Sequence, residues 1–114
     1  MMININQLKE FLDCDDEFLI HLMEAFVKES GEGISRLKTA SADKDWKMVK
    51  ATSHKMLSST RIFNIGDLSN LLEEIEKMAE KGIDTDLVPG KVSAVEESWK
   101  ITIDEINMLL NKRI

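Results

Sequence analysis

The stretch DKDWKMVKATSHKMLSSTRIFNIG, residues 43 to 66, carries apolar and small residues at the spacing of one helix face. Every third or fourth position belongs to this stripe: Trp46, Val49, Ser53, Met56, Thr60 and Phe63. Such a period predicts an amphipathic helix that packs against a core. We expect Asp43 to cap its N-terminus and Gly66, just past the stripe, to end it.

Two helices are predicted before this stretch. A short one is expected over about residues 4–12. A long one starts near Asp15 and Asp16, which are good N-caps and favour the positive end of a helix. Gly31 and Gly33 interrupt its apolar stripe, so a bend is expected there.

Two more helices are predicted after it. Asp67 is expected to cap the fourth helix, and Gly82 is expected to end it. The segment IDTDLVPGK, residues 83–91, is expected to be a loop. The apolar stripe of the last helix follows and reaches Leu110.

Amphipathic helices with short connections predict an all-α fold, an antiparallel up-and-down four-helix bundle with a short additional N-terminal helix. A length of 114 residues suits one domain with one core. We expect that domain to span residues 1–114, with the bundle core over about residues 15–112, and to be a monomer. A bundle implies no activity, so a function must come from a site.

Composition excludes several classes of function. The net charge of −6 argues against nucleic-acid binding, which needs a basic face. No apolar run approaches the length of a membrane span, so no direct membrane insertion is expected. The lone Cys14 cannot form an internal disulfide, and no signal peptide is visible, which favours the cytoplasm. No glycine-rich phosphate loop is present, and we expect no cofactor in this chain.

His54 is the candidate functional residue because it points away from the predicted core. At 100° per residue, it lies about 140° from the centre of the apolar stripe. Lys50, Ser58 and Arg61 share its sector of the helix. An ordinary surface histidine has the same placement, and the helical wheel alone favours that interpretation.

The surroundings of His54 suit phosphoryl transfer. A neutral imidazole is a nucleophile near pH 7 and can accept a phosphoryl group as a phosphoramidate. The small Ser58 permits a partner's aspartyl phosphate to approach. Lys50, Lys55 and Arg61 supply candidate charge for the phosphoryl oxygens. No serine–histidine–acid arrangement in a strand–turn–helix context suggests a hydrolase.

The run SHKMLSSTRIFNIGDLSNLLEEIE, residues 53–76, resembles the signature of histidine-containing phosphotransfer (HPt) domains, which act in multistep phosphorelays. His54 stands at the phosphoacceptor position, and Ser53 and Met56 stand where the family has alanine and leucine. Ser58 stands for the family's glycine. The later glycine, leucine-rich segment and glutamate of the signature also have matches: Gly66, Leu68, Leu71, Leu72, Ile75 and Glu76.

The resemblance covers about residues 15–110 and implies that His54 is the phosphoacceptor. Residues implied to contact the phosphoryl group or the partner are Lys50, Lys55, Leu57, Ser58 and Arg61, with Phe11 and Leu12 as candidate docking anchors. The implied partners are receiver domains of response regulators, which would bring Mg²⁺, so no autonomous catalysis is expected. The chain would be free-standing or the HPt module of a hybrid sensor histidine kinase, cytoplasmic in both cases.

Leu57 departs from the family pattern, because a lysine usually stands there and helps neutralise the phosphoryl group. Lys50 and Lys55 offset part of this loss, and Leu57→Lys is expected to raise the transfer rate. The departure keeps an alternative open: a degenerate HPt-like helical adaptor that binds a partner without phosphotransfer.

Other polar residues have structural interpretations. His21 is expected to be solvated or ion-paired. The acidic run of the fourth helix is expected to be a solvated face rather than a metal site: Glu73, Glu74, Glu76 and Glu80.

Overall fold

A computed structural model describes residues 3–112, and this part of the chain is helical without any strand. The helices are α1 (Ile5–Leu12), α2 (Asp16–Ala42), α3 (Trp46–Ile62), α4 (Gly66–Lys81) and α5 (Val88–Asn111), with a 3₁₀ turn at Thr85–Leu87. The all-α fold class predicted from the periodicity is confirmed. The predicted domain limits at residues 1 and 114 lie outside the described residues.

The four long helices form a bundle around one apolar core. α3 packs most extensively on α4, α2 packs on both α3 and α5, and α4 packs on α5, so the helices close into a ring. Fully buried side chains from all four helices fill the interior: Leu19, Leu37, Val49, Leu72, Ile75, Val95 and Ile106. Each contributes about 1.5–3 kcal/mol relative to an exposed position, so tertiary packing rather than helix propensity stabilises the bundle.

α1 lies at the end of the bundle where α3 ends and α4 begins. Its Leu8 is buried, and the backbone N–H of Ile3 just before it donates to the Glu105 carboxylate of α5. α1 and the turn between α3 and α4 line a common groove. The predicted short N-terminal helix therefore lies at one end of the bundle.

Polar side chains begin the first three helices. Asn4 and Asp15 cap α1 and α2, each accepting a hydrogen bond from the backbone N–H three residues on, at 3.0 and 2.9 Å. Asp45 caps α3 in the same way at 3.1 Å. The prediction that Asp43 caps α3 is wrong, because α2 extends as far as the residue before Asp43. Lys44, with a φ of 55°, makes the turn between the two helices.

The turn between α3 and α4 also differs from the prediction. α3 ends at Ile62, and Asn64, with a φ of 56°, takes the left-handed conformation that asparagine tolerates. The next residue, Ile65, is fully buried and fixes the turn to the core. Gly66 is therefore the first residue of α4 rather than the end of α3, and Asp67 lies in the first turn of α4 rather than at its cap.

α2 is a continuous helix through Gly31 and Gly33. Gly33 has a packing role. A Cβ built at this position would lie 2.9 Å from Cγ of Met56, which is closer than side-chain atoms normally approach. The glycine therefore allows α3 to pack closely on α2.

The α4–α5 connection is shorter than predicted. Gly82, with a φ of 65°, ends α4 as expected. The segment expected to be a loop contains the 3₁₀ turn and the start of α5 at Val88. Pro89 fits the first turn of α5 because the backbone N–H that proline lacks has no helical partner there. Within residues 3–112, no helix is long and apolar enough to cross a membrane.

Candidate functional site

His54 lies in the middle of α3 with its ring largely in solvent. Its side chain is 67% exposed, and its Nδ1 lies 2.7 Å from Oε2 of Glu76 on α4. The Glu76 side chain is only 18% exposed, so it holds the ring from the side of the bundle. Because an ionised carboxylate only accepts hydrogen bonds, a contact with ionised Glu76 puts a proton on Nδ1, and a neutral ring then has its lone pair on Nε2.

The helix that carries His54 is fixed by tight packing on both sides of the histidine. Ser53 is fully buried, and its Oγ donates to the carbonyl of Val49 at 2.7 Å. Met56 is also buried and lies against Gly33 of α2. The imidazole therefore projects from a rigid element, which favours a reproducible position for Nε2.

Carboxylates of α4 pair with the exposed side of α3 around His54. Three contacts run in antiparallel order along the two helices: Arg61–Glu73 at 3.2 Å, His54–Glu76 at 2.7 Å and Lys50–Glu80 at 3.7 Å. The three glutamates are spaced by three and four residues, which places them on one face of α4. We call this row of contacts the α3–α4 ladder, and the histidine is its central member.

Glu73 of the ladder has a second cationic partner. Nζ of Lys77 lies 3.0 Å from one carboxylate oxygen, and a guanidinium nitrogen of Arg61 lies 3.2 Å from the other. The hydrogen bond and the charge of Lys77, with a smaller contribution from Arg61, lower the pKa of Glu73 below its ordinary value. Glu73 is therefore ionised at neutral pH, and its charge is shared by two cations.

The other predicted site residues lie around His54 at different angles. Ser58 is exposed one turn later, and its Oγ donates to the His54 carbonyl at 3.3 Å. Lys55 is exposed but lies round the helix towards α2, where it lines a cavity of about 40 Å³ between α2 and α3. Lys50 and Arg61 are ladder members, so the structure brings these two and His54 together and leaves Lys55 apart.

Leu57 is buried, with 2% of its surface exposed, so the prediction that it contacts the phosphoryl group or a partner is wrong. Lys50, seven residues earlier, and Arg61, four residues later, both reach α4. Position 57 therefore faces α4 and is covered by it. A lysine at this position would start from a buried site beside α4 rather than from the exposed face that carries His54, which removes the reason to expect faster transfer from Leu57→Lys.

Glu76 is the site residue that the sequence interpretation missed. The acidic run predicts a solvated face, whereas Glu76 is largely buried and contacts His54. Two signals in the sequence point to it: its spacing from the other ladder glutamates, and its match to the glutamate of the family signature. Neither signal shows that side chains 22 positions apart meet.

A groove of about 420 Å³ lies between α1 and the end of α3, beside the ladder. Phe11 is 77% exposed and Ile62 is 42% exposed on its walls, and Arg61 lines it as well. The other candidate anchor, Leu12, is half-buried and packs against the core. In the described part of the chain, no group of three or more His, Cys, Asp or Glu side chains could hold a metal ion.

A four-helix bundle that presents a histidine on a rigid central helix, with one ring nitrogen held and the other free, has the features of a histidine phosphotransfer module. The chain matches the Hpt domain family over residues 21–109, and it belongs to that family. Members of this family carry phosphoryl groups on histidine in phosphorelays and interact with response-regulator receiver domains. No curated protein and no solved structure gives a significant match to the chain.

Proposed function

We propose that this chain is a phosphorelay intermediate that exchanges a phosphoryl group between Nε2 of His54 and aspartates of receiver domains in two-component signalling. The contact between Nδ1 and Glu76 supports this proposal most directly. It selects the tautomer in which the exposed Nε2 is the nucleophile, on a helix whose position is fixed by packing. The match to the Hpt domain family over residues 21–109 supports the same reaction class.

The proposed transfer is a single displacement at phosphorus. The Nε2 lone pair of His54 forms the N–P bond while the P–O bond to the aspartate carboxylate breaks, and the electron pair of that bond leaves with the carboxylate. The ring becomes an imidazolium whose Nδ1–H faces Glu76, and the carboxylate stabilises the charge through a charge-assisted hydrogen bond. The reverse step returns the phosphoryl group to an aspartate and leaves the ring neutral, with its proton on Nδ1.

The partner is proposed to supply the rest of the chemistry. The receiver domain would bring the carboxylates and the Mg²⁺, and this chain would bring the nucleophile and the ladder cations Lys50 and Arg61, with Lys55 further round the helix. Ser58 would leave room for the incoming aspartyl phosphate. We propose a cytoplasmic monomer without autonomous catalysis, either free-standing or as the module of a hybrid sensor histidine kinase.

Labelling by a receiver domain loaded with acetyl phosphate tests the proposal. His54→Gln is expected to abolish labelling while the circular dichroism spectrum stays unchanged, since the side chain is exposed. His21→Gln is the matched control, because His21 is an exposed histidine on α2, 72% accessible, and its loss should leave labelling intact. Labelling of the His54→Gln variant, or none of the wild type by any receiver from its own organism, contradicts the proposal.

The buried Leu57, in place of the family's usual lysine, supports one alternative function: a degenerate adaptor that binds a receiver domain without phosphotransfer. A single experiment distinguishes the two functions. The adaptor forms a complex with the receiver, detectable by calorimetry, and His54 stays unlabelled when that receiver is phosphorylated.

A further inference from the structure

Arg61 lies on the same face of α3 as His54, two helical turns later. Seven residues make about 700°, close to two full turns, and about 10 Å along the helix axis. Side chains of a helix tilt towards its N-terminus, so Arg61 leans towards His54, whereas Lys50 leans away from it. Of the two ladder cations beside the histidine, Arg61 is therefore the one directed towards a phosphoryl group on His54.

Arg61 can leave its present partner at small cost. Glu73 is shared between Arg61 at 3.2 Å and Lys77 at 3.0 Å. Lys77 lies on α4 itself, one turn after Glu73, and keeps its contact when the arginine moves. The Arg61 side chain is 59% exposed, so its movement opens no cavity in the core.

We propose that Arg61 exchanges partners when His54 is phosphorylated, leaving Glu73 for the phosphoryl group on Nε2. This inference rests on the proposed phosphorelay function. The guanidinium fork matches phosphoryl oxygens in a bidentate arrangement that an ammonium group does not reproduce. A phosphoryl dianion attracts the guanidinium more strongly than a carboxylate that Lys77 already neutralises. The exchange supplies the cation that Leu57 lacks, and no covalent bond changes in it.

The test places a phosphoryl group on His54 with phosphoramidate, a small donor that needs no receiver domain, and follows its ³¹P resonance against pH. A cation at the phosphoryl group favours the more anionic form of the phosphohistidine and lowers the pH midpoint of its titration. An exposed ion pair changes such an equilibrium by a factor of about 1.5 to 5, which equals about 0.2–0.7 pH units. Arg61→Gln is expected to raise the midpoint by this amount.

Variants of α4 act in opposite directions if the exchange occurs. Glu73→Gln is expected to lower the midpoint because it releases Arg61, and Lys77→Gln to raise it because Glu73 then holds the arginine more tightly. Glu74→Gln is the matched control, since it removes the same charge one residue away. Glu74 pairs with Lys91 of α5 at 2.6 Å and lies outside the ladder, so no shift is expected.

A double variant separates the exchange from direct repulsion between Glu73 and the phosphoryl group. The exchange predicts that Glu73→Gln shifts the midpoint in the wild-type background and leaves it unchanged in the Arg61→Gln background. An unshifted midpoint in Arg61→Gln, or an equal effect of Glu73→Gln in both backgrounds, overturns the exchange and leaves the relay function standing. Failure of His54 to take a phosphoryl group from phosphoramidate and from a phosphorylated receiver overturns both.

Discussion

Replacement of Leu57 by lysine, the residue usual in the family, is expected to destabilise the fold rather than to improve phosphotransfer. Leu57 is 2% exposed and lies beneath the α3–α4 ladder. Truncation of a buried leucine to alanine costs about 2–5 kcal/mol. A lysine retains part of the apolar contact through its methylene groups and turns its ammonium towards solvent. We therefore expect a loss near the lower end, about 2–3 kcal/mol of the free energy of unfolding.

Urea denaturation followed by far-UV circular dichroism measures this loss directly. For a chain of this size, 1 kcal/mol corresponds to about 3–6 °C in Tm, so we expect a decrease of about 6–18 °C. Ser58→Lys is the matched control, because it introduces the same side chain one residue later at an exposed position. Its free energy of unfolding should stay within about 0.5 kcal/mol of the wild type.

The outcome that refutes this reasoning is a Leu57→Lys variant as stable as the wild type that is labelled faster by a phosphorylated receiver. It would mean that position 57 is accessible and that the lysine contacts the phosphoryl group. Equal destabilisation by Leu57→Lys and Ser58→Lys would also contradict the argument, because the two positions differ in burial.

Three further changes have expected outcomes. Ser58→Glu should block labelling of His54 by a receiver, because the larger side chain obstructs docking and its negative charge repels the phosphoryl group. Unchanged transfer would contradict docking of the receiver at the face around His54. Glu76→Ala should release the tautomer of His54, visible in the ¹⁵N shifts of its ring, and slow labelling by about 1.5- to 5-fold, the range of a partly exposed pair. A ring that keeps its proton on Nδ1 would contradict this. Gly33→Ala should be less stable than Gly31→Ala by about 1–3 kcal/mol in urea denaturation. The added Cβ lies 2.9 Å from Met56 of α3 in the first variant and an ordinary 3.6 Å from Trp99 in the second. Equal stabilities would show that α3 moves away from α2 without a cost in free energy.

The helix ends of this protein follow from the local sequence wherever a single nearby residue can cap or end the helix. Asp15 caps a helix, and Gly82 ends one, as the sequence predicts, because capping depends on a few adjacent backbone groups. The predicted helix ends fail at the turns that enter and leave α3. Asp45 rather than Asp43 begins α3 because α2 continues to Ala42, and α3 ends before Gly66 is reached, where the buried Ile65 fixes the turn to the core.

The features of the site also separate into those that local sequence determines and those that tertiary packing determines. The sequence by itself determined that His54 lies on the polar side of its helix, because exposure on a single helix follows from a period of 3.6 residues. Only the tertiary structure decided what surrounds it: α4 brings Glu76 to 2.7 Å from Nδ1 and covers Leu57. A helical wheel assumes that a helix is buried on one side only, whereas α3 packs on both α2 and α4. Its buried face is therefore wider than one stripe, and the register between α3 and α4 sets which carboxylates reach the histidine and Arg61.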